Sequence, residues 1–152
     1  MEAIEAIQRR TSVRRFRPDP IPRETLERLL DAATRAPNHR LTEPWRFAVL
    51  TGGGITRLAE LRARHRLQRF DDPGSAEALA AGAKMRRETA ETPAVVVVMC
   101  KVSADDNTRE EDYAATMMAI GNLMIAAESI GLGSYLKTGG IMREAGMMEL
   151  AG

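Results

Sequence analysis

Residues 113–130 read YAATMMAIGNLMIAAESI, apolar or small at most positions over about five helical turns. A helix apolar nearly all round belongs in an interior, so the stretch predicts a long buried helix from Tyr113 to Ile130. Gly131 and Gly133 then end it. Upstream, Ala94–Met99 is a β-branched apolar run after Pro93 and predicts a strand covered on both faces. The acidic group Asp105–Asp112 leads from that strand into the helix as a loop. Downstream, Ser134–Thr138 predicts a further strand, and Gly139-Gly140 turns into a last helix over Met142–Leu150.

Further out the pattern continues. Ile4–Ile7 begin a short amphipathic helix. Pro22 suits the first turn of a second helix, where its missing N–H costs nothing. Leu26, Leu29, Leu30 and Ala33 follow at helical spacing, and that helix ends before Pro37. Arg46–Thr51 reads as a strand stopped by three glycines. Residues 55–69 form an amphipathic helix with a solvated basic face, and Lys84, Arg86 and Arg87 lie on another helix. The order is that of one layered α/β or α+β domain.

Composition narrows the function. The chain has 152 residues, with 22 Lys and Arg against 21 Asp and Glu. No global field attracts nucleic acid or an anionic membrane, and the basic helix faces lack interleaved aromatics. The lone Cys100 leaves no internal disulfide and no metal-ligand spacing, so a reducing, cytoplasmic location is expected. Charges from Glu2 onward do not make a secretory signal, and the longest apolar run, Ala94–Cys100, is too short to span a bilayer. The nine methionines suggest a methionine-rich core.

Two segments carry candidate chemistry. Residues 9–16 read RRTSVRRF. In an extended segment Arg10, Ser12 and Arg14 share one face, and two guanidinium forks with a hydroxyl suit a phosphate. Residues 35–47 read RAPNHRLTEPWRF, a polar loop able to wall a planar ligand. Simpler readings stand beside these. The arginines suit a helix C-terminus, Ser12 a cap, His39 an ordinary loop position, Trp45 and Phe47 the core, and Lys137 a helix-entry charge.

With GLGSYLKTGG at 131–140 as a third block in the same order, the chain resembles the nitroreductase family of FMN-dependent oxidoreductases from Ile4 to its end. The resemblance implies an α+β, nitroreductase-like fold: a mixed sheet wrapped by helices in three α/β/α layers, with the long helix at the centre. It implies FMN as cofactor, NAD(P)H as electron donor and a homodimer with FMN at the interface. Arg10, Thr11 and Ser12 correspond to contacts on the phosphate side, with Arg14 beside them. Arg35 and His39 correspond to flavin-contacting positions, His39 reaching the FMN of the partner subunit. Leu136, Lys137 and Thr138 correspond to the segment passing the isoalloxazine ring. Residues 126–131 align with a region assigned to nicotinamide binding. Catalytic side chains are not expected, because the flavin carries the chemistry, with nitroaromatics, quinones or similar molecules as acceptors in a ping-pong scheme. Other readings are a flavin-binding or interaction protein without turnover, and a relative doing dehalogenation or flavin fragmentation. Family members continue beyond the position of Gly152 into a further strand. The expectation is therefore a shortened single domain, with an open sheet edge and weakened hold on FMN.

Overall fold

Leu26, Leu29 and Ala33 are buried on one side of a helix, as their spacing predicts. In the computed structural model, which describes residues 1–152, six helices and two strands follow one another as an α+β fold. They are α1 (Ala3–Arg9), α2 (Arg23–Thr34), β1 (Trp45–Leu50), α3 (Gly53–Leu67), α4 (Ala76–Ala90), β2 (Val95–Cys100), α5 (Asp106–Ser129) and α6 (Ala145–Ala151). Single 3-10 turns occupy His39–Leu41 and Gly140–Arg143. β1 and β2 pair with each other. The Lys101 N–H donates to the Pro44 carbonyl at 2.8 Å, so the start of β1 meets the end of β2 in the antiparallel sense.

The chain forms two compact units. The first comprises residues 1–14, 21–47 and 98–136. In it α5 packs on α1 and α2. Its core is Ala33, Ala36, Trp45, Ala115 and Ala119, with Phe47 and Leu123 against them. Trp45 and Phe47 are thus core residues. The second unit comprises residues 15–20, 48–97 and 137–152. There α3 packs on α4 and α6 through Leu58, Ala59, Leu61, Ala63, Ala78 and Met147, all buried.

Five expectations change. The third strand over Ser134–Thr138 is reduced to one parallel bridge between Ser12 and Ser134. Gly131, at φ 80°, and Gly133 lower the strand propensity of that approach. The acidic group is not a loop, because Asp105 caps α5 and the helix starts at Asp106. The long helix is not buried all round. Ala115, Thr116, Ala119 and Ala127 face inward, while Tyr113 is 61% and Met118 44% exposed. Nor is the core methionine-rich. Only Met147 is buried, and alanines dominate, because small side chains let the helices approach closely. In α1 the buried residue is Ala6, and Ile4 and Ile7 are exposed.

Candidate functional site

The basic block begins where α1 ends. Arg10 leaves the helix at φ −55°, ψ 117°, and the chain runs extended to Ser12, whose neighbour across the bridge is Ser134. The Val13 N–H donates to the Ser134 carbonyl at 3.0 Å. Gly133 makes this approach possible, since a Cβ there would stand 2.7 Å from Val13 Cγ2. With Val13 turned against Gly133, alternation turns Arg10, Ser12 and Arg14 to the opposite face. Thr11 falls on the Val13 side. The first and third sequence blocks are therefore joined at Ser12 and Ser134, next to Tyr135 and Leu136.

The charges of this block are uneven. Arg9 is neutralised by Glu5 at 3.3 Å and Glu128 at 3.8 Å. Arg10, half-buried, and Arg14, exposed, have no carboxylate partner. A row of unpaired guanidinium groups with a hydroxyl between them, on a backbone fixed by a bridge, fits the phosphate of a nucleotide cofactor.

The second block is a strained loop held on the first turns of α5. Three non-glycine residues lie in the left-handed region: Arg40 at φ 60°, Leu41 at φ 52° and Glu43 at φ 42°. Each such residue costs of order 1–3 kcal/mol and persists only where its surroundings over-determine it. The restraints are visible. Thr42 Oγ1 donates to Asp112 Oδ1 at 2.5 Å, and Asp112 is buried. Arg40 reaches Thr108 Oγ1 at 3.4 Å, and the Glu43 N–H donates to Asn38 Oδ1 at 3.0 Å. His39 Nδ1 lies 3.0 Å from Glu111 Oε1. His39, Pro37, Ala114 and Met118 line a mostly apolar cavity of about 440 Å³. Arg35 stands apart from this, turned to Asp31 at 2.8 Å on the surface of α2.

The two blocks meet opposite ends of α5. Glu111 holds His39 and Glu128 holds Arg9, and at about 1.5 Å of rise per residue these anchor points lie about 25 Å apart.

Lys137 and Thr138, both exposed, belong to the second unit. There Lys137 is within electrostatic reach of Arg62 and Glu88. Desolvation holds its ammonium below the ordinary lysine value. Arg62 lowers it further, and Glu88 opposes. Arg62 is itself held below the usual arginine value by burial, offset by Glu88, and donates to Thr89 Oγ1 at 3.0 Å. A second cavity, of about 320 Å³, is lined by Leu61, Arg64, His65, Glu144 and Glu149, with His65 Nδ1 2.8 Å from Glu144. Glu111, Asp112 and Arg62 were not legible as site residues. Their partners lie far away in the chain, and no local spacing marks them.

No group of histidine, cysteine and acidic side chains could hold a metal ion, and no helix is long and apolar enough to cross a membrane. Comparison with known proteins agrees with the fold. A family model described as the nitroreductase family matches residues 7–152. A Bacillus subtilis protein named as a candidate NAD(P)H nitroreductase, YfhC, is 30% identical over 139 residues, 91% of this chain and 70% of that protein. A nitroreductase-like family protein from Bacillus cereus superposes with a TM-score of 0.83 at 31% identity, covering 100% of this chain and 78% of its own. Iodotyrosine deiodinase, solved with FMN and 3-iodo-L-tyrosine, superposes with a TM-score of 0.68 at 25% identity, over 98% of this chain and 80% of its own.

Proposed function

Because the chain belongs to the nitroreductase family, we propose that it is an FMN-dependent oxidoreductase. The observation that carries this is the row of Arg10, Ser12 and Arg14, without acidic partners and fixed by the bridge to Ser134. Those side chains bind the phosphate of FMN, with Thr11 contributing from the backbone side. Leu136, followed in the chain by Lys137 and Thr138, borders the flavin ring. When bound, FMN supplies the redox chemistry, taking hydride from NAD(P)H and passing electrons to a nitroaromatic, quinone or similar acceptor in ping-pong order.

We also infer a cytoplasmic homodimer. The distance along α5 between the Arg10 block and His39 supports a flavin served by the phosphate row of one copy and by His39 of the other. The exposed Ile4 and Ile7 of α1, with Tyr113 and Met118 of α5, offer apolar surface for that contact.

Purified protein loaded with FMN should be yellow and should bleach on anaerobic addition of NADH or NADPH. Failure to take up FMN, or bound flavin that neither donor reduces, overturns the reading. The likeness to iodotyrosine deiodinase supports a second chemistry for the same flavin, reductive dehalogenation. Halide release from an iodinated phenol, in place of reduction of a nitroarene, would favour it.

A further inference from the structure

His39 is the one ring in the first unit whose two nitrogens differ in circumstance. Nδ1 faces the Glu111 carboxylate at 3.0 Å. Nε2 has no partner in the chain, and the ring lines the 440 Å³ cavity beside Met118 and Ala114. The backbone beneath it is fixed independently, by Asp112 through Thr42 and by Thr108 through Arg40. Three left-handed residues are held in place by those contacts. The loop therefore sets where the ring stands, and what remains free is its rotation and its tautomer.

An ionised carboxylate can only accept a hydrogen bond, so Nδ1 must carry a hydrogen to satisfy Glu111. In the neutral ring, Nε2 is then the acceptor. We propose that Glu111 is a positioning residue: it holds His39 in the Nδ1–H tautomer, so that Nε2 is offered as an acceptor to a hydrogen-bond donor of the ligand. The ligand half of this inference rests on the flavin reading above. The tautomer half stands on the pair of side chains alone. Glu111 is only partly exposed, and its neighbour Asp112 carries the structural contact, so orientation of the ring can be changed without releasing the loop.

Nitrogen-15 spectra of the histidine rings in ligand-free protein test the tautomer. They are recorded near pH 8.5, about two units above the ordinary histidine value, and His39 is assigned by its loss in His39→Ala. The wild type should be protonated on Nδ1. Glu111→Ala should move the proton toward Nε2, the preference of the histidine side chain in water, and Glu111→Gln, whose carbonyl still accepts, should restore Nδ1–H. A wild-type ring protonated on Nε2, or one indifferent to Glu111→Ala, overturns the assignment. FMN titration of the same proteins tests the consequence. Glu111→Ala should weaken FMN about tenfold, as loss of the hydrogen-bond partner of a metal-bound histidine does at the lower end of its range, and less than twofold when His39 is already alanine. An equal loss in both backgrounds would show that Glu111 acts otherwise than through His39. A wild type that takes up no FMN defeats the flavin reading, and the spectra then decide the positioning role by themselves.

Discussion

Arg10 is the residue on which the phosphate assignment can be tested most cleanly. Its backbone N–H donates to the Ala6 carbonyl at 3.0 Å, which alanine would keep, and its side chain makes no hydrogen bond or ion pair, so replacing it removes little from the fold. Arg10→Ala should raise the FMN dissociation constant more than tenfold, in line with about 1.5–3 kcal/mol for a hydrogen bond to a charged group. The melting temperature should be nearly unchanged, and a titration at constant salt checks the affinity. Unchanged affinity would remove Arg10 from the site. Thr42→Val should behave oppositely. It takes the hydroxyl away from a buried carboxylate, and leaving such a group unsatisfied costs about 1–3 kcal/mol, readable as a lower urea midpoint. The difference between these residues also explains what the sequence could convey. Arg10, Ser12 and Arg14 are two positions apart, so their common face follows from local geometry. Glu111 and Asp112 work on partners 72 and 70 positions away, and no short window contains both sides of either contact.

At the scale of elements, helices were the legible part. α2 has Pro22 at its N-cap and ends before Pro37, and α3 begins among the three glycines. Their signals are periodicity and caps, which are local. The extended segments depended on partners outside the window. Ser134–Thr138 has strand composition, yet its pairing is limited to the bridge between Ser134 and Ser12 and the Val13 N–H bond to the Ser134 carbonyl. Gly133→Ala tests how much that bridge matters. A methyl 2.7 Å from Val13 Cγ2 must push the two segments apart, since the obstacle is a β-branched side chain. The variant should bind FMN severalfold more weakly, and Val13→Ala in the same chain should recover most of the loss. No recovery would mean that the contact is not what joins the blocks.

The start of α5 has a pH dependence of definite sign. Asp105 Oδ1 accepts from the Thr108 hydroxyl at 2.7 Å and from the Thr108 N–H at 2.8 Å. The hydroxyl bond, then the backbone bond, holds its carboxyl below the ordinary aspartate value, and Arg40 and Arg109 help. A depressed carboxyl contributes stability above its unfolded value of about 3.9, and that contribution is lost as pH falls through the folded value. The protection of the Thr108 amide, the intrinsic exchange rate divided by the observed rate at the same pH, should therefore fall on acidification below about pH 4. Asp105→Asn should keep a cap and lose that acid dependence. A wild-type exchange profile identical to that of Asp105→Asn would exclude the carboxylate as its source.

At the scale of the whole molecule, α5 is the element whose sequence promised more burial than one chain provides. Its inner side is filled by alanines against α1 and α2, while Tyr113 and Met118 remain open. We expect a second copy to cover that side, so equilibrium sedimentation should return a dimer, and Met118→Lys should shift it toward monomer. A wild type that sediments as monomer at all concentrations would refute the shared flavin.

The two units also differ from ordinary modules in how the chain visits them. It passes between them after Arg14, Pro20, Phe47, Val97 and Leu136, the third and fourth of these passages lying within β1 and β2. No continuous stretch encodes either unit. A recombination event with a single crossover would therefore join pieces of both, and neither could be exchanged between relatives as a cassette. Sequence drift in such a chain is bound to proceed by substitution and by change in the turns, with both units inherited together.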